Sequence, residues 1–174
     1  MEWRQLTFAG QTAEGESLLS NAKIVDQIEV APQMLRDLLA GMEPQLLKRR
    51  PAADRWSAHE HALHLAAVDP LFSVRLDSML AEEDPAVVPY IPPAEDERGA
   101  LLMRDLSHGL NTFESGRERL VQRLRTLGDD SWRRSAKHPD YPTYGVRIMF
   151  RHAVLHDMLH CYRIEELLLK KDWT

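Results

Sequence analysis

One cysteine in 174 residues, Cys161, rules out an intramolecular disulfide and any cysteine-rich zinc module. Basic residues are in the minority: 22 lysines and arginines stand against 27 aspartates and glutamates, a formal net charge of −5. Without a basic block or tail, that balance argues against nucleic acid and against an anionic membrane as partners. No apolar run approaches the roughly 18 residues needed to cross a bilayer. The opening Met1-Glu2-Trp3-Arg4-Gln5 lacks the basic-then-apolar pattern of a secretory leader, so a cytoplasmic location is expected. Little of the chain reads as β-strand, and neither an internal repeat nor a low-complexity tract is visible.

What is present is helical periodicity. The length suits a single domain over 1–174, large enough to bury a core without staples. A first helix is predicted from about Ser17 to Met42, with Val25, Ile28, Leu35, Leu39 and Met42 spaced by threes and fours. Pro32 should kink or split it, and Gly41 is a plausible stop. Pro44 to Arg50 reads as a short helical turn closed by Pro51. Ser57 and Glu60 form the pattern of a capping box for a second helix that continues to about Ala81, with Pro70 as a second expected kink.

The stretch from Glu82 to Arg98, rich in proline and acidic residues, reads as a long connection able to shape a pocket mouth. A third helix is predicted from about Ala100 to Leu127, its seam formed by Met103, Leu106, Leu110, Phe113, Leu120, Leu124 and Leu127. After Gly128 a loop with two prolines leads to a fourth helix, about Gly145 to Lys171. The fold class is therefore all-α, a four-helix bundle with a long loop between helices two and three, either up-down-up-down or with a crossover.

The eight histidines cluster, three at 59–64 and three at 152–160. His156 and His160 are four residues apart, stacked on one helical face, close enough to share one ion. Met149, Ala153, Ile164 and Leu167 fall on the same stripe, so this pair should point into the core. His152 shares its stripe with Arg163, Glu166 and Lys170, nearer solvent. On the second helix His64 lies with Ala67, Val68 and Leu71 and points inward, whereas His59 lies with Ala66, Ser73 and Asp77 and points outward. His61 is left open by the pattern. His64, His156 and His160 thus make a recipe for a divalent metal site with at least one position free for water or substrate. Imidazole suits zinc, nickel, iron or copper.

The alternative is three hydrogen-bonded core histidines, but burying them unpaired costs on the order of a few kcal/mol each. His156-Asp157-Met158-Leu159-His160 also approaches the H-E-x-x-H zinc-protease motif. Such proteases use a glutamate base and a third ligand well downstream. Here the position holds Asp157, and fourteen residues follow His160.

Trp56-Ser57-Ala58-His59-Glu60-His61-Ala62-Leu63-His64-Leu65 resembles the W-S-x-x-E-x-x-x-H-L pattern of the DinB-like superfamily. His156-Asp157-Met158-Leu159-His160-Cys161-Tyr162-Arg163-Ile164 resembles its H-x-x-x-H-x-x-Q-I ending, with Arg163 in place of the glutamine. The order of elements, including an R-P-x-x-x-x-W-S junction at Arg50 to Ser57, agrees over nearly the whole chain. The resemblance implies a four-helix bundle with metal on His64, His156 and His160, zinc or nickel as the typical ion, and a homodimer. It also implies a thiol-dependent S-transferase using a low-molecular-weight thiol such as mycothiol or bacillithiol.

The chemistry expected of such a site is a metal-dependent enzyme acting on a small molecule, a thiol S-transferase first. A metal-dependent hydrolase or a non-catalytic metal- or ligand-binding bundle is the alternative. Asp157 and Glu60 are candidates to orient the imidazoles, Glu60 equally a capping-box partner. Arg117, at a seam position of the third helix, is a candidate anion-binding group facing the cavity, or else an arginine snorkelling at the bundle edge. Cys161 reads as packing, Trp56 as a core anchor, and Trp173 as a terminal contact.

Overall fold

The structure, a computed structural model, describes residues 20–170. Trp173, Lys171 and the predicted start of the first helix at Ser17 lie outside the described residues. Four long helices carry the fold: α1 (Asn21–Leu39), α3 (Ala58–Ala81), α5 (Leu106–Arg125) and α7 (Val146–Leu169). Three short helices fill the connections, α2 (Pro44–Lys48), α4 (Ala94–Glu97) and α6 (Asp129–Trp132), with a 3-10 turn at Ala100–Met103. Among the described residues no helix is long and apolar enough to cross a membrane.

Local chemistry sets the helix starts. The Ser20 hydroxyl accepts from the Lys23 amide at the head of α1. The predicted capping box opens α3, Ser57 and Glu60 exchanging bonds between side chain and backbone. Neither Pro32 nor Pro70 splits its helix; α1 and α3 run through both. The third long helix starts later than its periodicity suggests. The Asp105 carboxylate caps it by accepting from the His108 amide at 2.6 Å, and Met103, assigned to the seam, is 87% exposed in the separate 3-10 turn. That turn folds against α3 and corrects a second expectation. His59 is buried rather than outward, its Nε2 3.2 Å from the carbonyl oxygens of Leu101 and Arg104.

Packing contacts set the order around the bundle. α1 packs on α5 and α7, and α3 packs on the same two, so α1 and α3 occupy opposite corners, as do α5 and α7. Arg36 reaches Asn111 and Glu114 while Arg125 reaches Glu29, so α1 and α5 are antiparallel. Asp69 meets Arg117 and Asp77 meets Arg123, so α3 and α5 run parallel. His61 against His160 and Phe72 against Phe150 make α3 and α7 antiparallel. Of the two topologies open from sequence, the structure adopts the crossover. Parallel α3 and α5 oblige the chain to travel back along a helix of about 36 Å, and residues 82–105 make that journey.

The core is divided in two. One apolar cluster includes Ile28, Phe72, Leu120 and Phe150; the other includes Leu35, Leu65, Phe113 and Ile164. Between them, at the same level of three helices, lie His64 and Asp69 of α3, Arg117 of α5, and His156, Asp157 and His160 of α7. A largely buried polar belt therefore crosses mid-bundle, where a charge without a protein partner is costly.

Candidate metal centre

The antiparallel crossing of α3 and α7 brings the N-terminal half of one beside the C-terminal half of the other, which is how His64 meets His156 and His160. One ring nitrogen from each lies within 4.8 Å of the others. No other group of three or more metal-ligating side chains comes together among the described residues. His64 Nε2 and His156 Nε2 are 3.3 Å apart. Two nitrogens bound tetrahedrally to one zinc at about 2.0–2.1 Å would stand about 3.4 Å apart, so the spacing suits a shared ion.

The protonation state suits it as well. Burial pushes the His64 imidazole down to about 4, helped by His156 and His61. It pushes His156 to about 4, helped by Arg117, and His160 to about 2, helped by the other three rings. All are neutral near pH 7, the form that coordinates a metal. His64 Nδ1 and His156 Nδ1 are buried without any hydrogen-bond partner. A buried imidazole nitrogen left unpaired is costly, and the donor set of this cluster is that of a cation site.

A fourth imidazole joins the group. His61 Nδ1 lies 2.8 Å from His160 Nδ1, and burial holds His61 near 4, with Arg163 and Arg55 adding to the effect against Glu60. His152 stays apart, its ring 5.3 Å from that of Tyr141 and 5.9 Å from that of Tyr144. The Trp56 ring lies 4.8 Å from His64 and 5.5 Å from His61, so this half-buried tryptophan walls the cluster. Tyr90, from the long connection, stands 5.9 Å from His64 on another side.

The two expected orienting carboxylates are engaged elsewhere. Glu60 is fully buried and accepts from the Ser57 amide and hydroxyl, each at 2.9 Å, and from Arg50 through both Nε and Nη2. Burial alone would raise its pKa, yet the Arg50 and Ser57 bonds hold the carboxyl below its ordinary range. Glu60 thus locks the junction that carries Trp56. Asp157 accepts from Arg117 Nη1 at 2.7 Å and Nη2 at 3.2 Å, while Arg117 Nε donates to Asp69. Burial pushes both aspartates up, against the pull of the guanidinium. Arg117 is 2% exposed rather than snorkelling at the bundle edge: two carboxylates from flanking helices take all its nitrogens, and the residue also lines a separate cavity of about 260 Å³ between α1 and α5. Asp69 was missed from sequence; an acid directly after Ala66-Ala67-Val68, five residues past His64, was the available signal. Cys161 is buried, its thiol pushed up to about 11 by burial and by Asp157, in keeping with a packing role.

A cavity of about 910 Å³ opens beside the cluster. His61 and Trp56 line it, and through them it reaches His160 and His64, although none of the three clustered histidines forms its wall. Pro92 and Arg98 of the long connection contribute to the rim, as expected of that segment, and so does Arg163, which departs from the resembled pattern.

Known proteins share the sequence pattern and the overall fold. The model of the DinB superfamily matches residues 27–164. A protein of Oceanobacillus iheyensis provisionally named as a metal-dependent hydrolase is 24% identical over 153 residues, 86% of each chain. YfiT of Bacillus subtilis, also provisionally named as a metal-dependent hydrolase, is 27% identical over 156 residues, 87% of this chain and 86% of its own. The solved YfiT structure, described as having an unusual four-helix bundle topology, superposes with a TM-score of 0.78 at 26% identity, covering 91% of each chain.

Proposed function

The chain belongs to the DinB superfamily, and on that premise we propose that it is a metal-dependent hydrolase of a small molecule, with His64, His156 and His160 holding one divalent ion. The observation that carries the reading is the convergence of three neutral imidazoles, two buried and one partly buried, with their nitrogens within 4.8 Å. The names given to its relatives support hydrolysis as the reaction. Zinc or nickel is the proposed ion, since three imidazoles suit either.

A divalent ion at such a site supplies Lewis acidity, polarising a carbonyl or phosphoryl oxygen and acidifying water toward neutrality. The protein's own share is to position and to exclude. His61 bonds His160 through Nδ1 and so fixes the orientation of that ring, the office of an outer-sphere partner. Arg50 and Glu60 brace the turn that sets Trp56 against His64. Trp56 and Tyr90 keep bulk water from two sides of the cluster. The Arg117 ion triad pins α7 through Asp157, the residue directly after His156. A reducing cytoplasm is the proposed setting.

The test is metal content by elemental mass spectrometry on untagged protein, beside a His64→Ala/His156→Ala double variant. The parent should carry close to one zinc or nickel and the variant almost none. The loaded protein should then hydrolyse members of an ester, amide and phosphate panel, with a low-molecular-weight thiol offered as competing acceptor. A parent that takes up no metal after incubation with zinc and nickel sinks the proposal. A product bearing the thiol would replace hydrolysis by the S-transfer that the sequence resemblance implies.

A further inference from the structure

We propose that the cavity beside the histidine cluster binds a small organic anion, its carboxylate or phosphate group held by Arg55 and Arg163. The inference rests on the hydrolase reading and deepens it by naming the charge that the substrate carries.

In a chain whose formal charge is −5, four arginines line this one cavity, Arg50, Arg55, Arg98 and Arg163, against Asp54 and Glu166. Their commitments differ. Arg50 is spent on the buried Glu60 carboxylate. Arg98 bonds Glu95 at 3.0 Å at the exposed rim. Arg163 meets Glu166 at 2.8 Å, with 42% and 33% of the two side chains exposed. An ion pair of that exposure is weakly held, so an entering anion can take the carboxylate's place. The Arg55 guanidinium makes no ion pair or hydrogen bond among the described residues.

Arg55 and Arg163 line the same cavity. Its wall also includes His61, whose Nδ1 lies 2.8 Å from His160 Nδ1. An anion between the two guanidinium groups is therefore placed beside the histidine cluster rather than at a remote surface. A guanidinium presents its donors as a planar fork that matches carboxylate and phosphate oxygens. Trp56, Pro51, Pro92 and Leu167 supply apolar wall, which a bare inorganic ion would leave uncovered. The volume of about 910 Å³ is that of a small-molecule site.

Isothermal titration calorimetry on the full chain tests this with phenylphosphate, benzoate and neutral benzamide, on protein as purified and after chelator treatment. At least one anion should bind and benzamide should not, with the stronger anion identifying the group recognised. The Arg55→Gln/Arg163→Gln variant should lose about tenfold or more in affinity, the scale of a lost charge-assisted pair. The single, exposed Arg55→Gln change should lose part of it, a check that does not depend on the fold tolerating both changes. Binding should survive the chelator. Equal binding of benzamide, an unaltered affinity in both arginine variants, or loss of binding with the metal would each overturn the proposal. Anion binding that persists in a protein without metal or hydrolysis would instead overturn the hydrolase reading and leave this one standing.

Discussion

Arg117 carries its charge into the middle of the bundle, where Asp69 and Asp157 answer it from two other helices. One guanidinium between two buried carboxylates leaves the triad with an excess of negative charge in a poorly solvated place. Breaking such a group by removing one partner costs far more than its net contribution, because the remaining charges are stranded. Arg117→Met should therefore destabilise the protein by about 3–5 kcal/mol in chemical denaturation at neutral pH. A loss below about 1 kcal/mol would show that the triad carries little strain when opened. The seam position of Arg117 was legible in the heptad pattern of α5. Its role was not, since both counter-charges arrive from elements remote in sequence.

At the scale of elements, the parallel pair α3 and α5 depends on small residues at the contact. A Cβ on Gly116 would stand 2.5 Å from an Asp69 oxygen, and one on Gly109 would stand 2.2 Å from a Leu63 methyl. Leu63 can turn its far end aside, whereas Asp69 is held by Arg117. Gly116→Ala gains about 1 kcal/mol of helix propensity, yet overpacking and the displaced aspartate should outweigh it, for a net loss of about 1–3 kcal/mol. A thermal melt of the variant checks the sign; a raised Tm would show that α3 and α5 separate without penalty. The element boundaries set by capping, at Ser57 above all, were readable in the sequence. The late start of α5 and the burial of His59 were not, because Asp105 and the turn at 100–104 override a periodicity that is itself continuous.

For the molecule as a whole, acid should act on the metal-free protein through its histidines. His61, His64 and His156 sit near 4 and His160 near 2, against an ordinary value of 6.5. Below 6.5 the unfolded chain binds protons that the folded one refuses, so stability is full above that pH and declines as pH falls toward 4. The His160 share is lost further down still. The Tm of chelated protein should drop between pH 7.5 and 5, and less steeply in a His160→Gln variant; a flat profile would refute the linkage.

The outer face of α7 supports the homodimer proposed from the resemblance. Leu155, Met158, Leu159, Tyr162 and Leu169 are all exposed at helical spacing. Sedimentation should give twice the chain mass in the parent and the single mass in a Leu159→Glu/Tyr162→Glu variant. A monomeric parent would end that proposal.

By itself the sequence determined the helical class, the four long segments, the capping box and the shared inward face of His64, His156 and His160. Each depends on residues within a turn or two of one another, where periodicity and capping act. The tertiary structure alone decided the crossover order, the diagonal placement of α1 and α3, the partners of Arg117 and His61, and the pairing of Glu60 with Arg50. Those depend on which helices become neighbours, and amphipathic stripes say that a face is buried without saying against what.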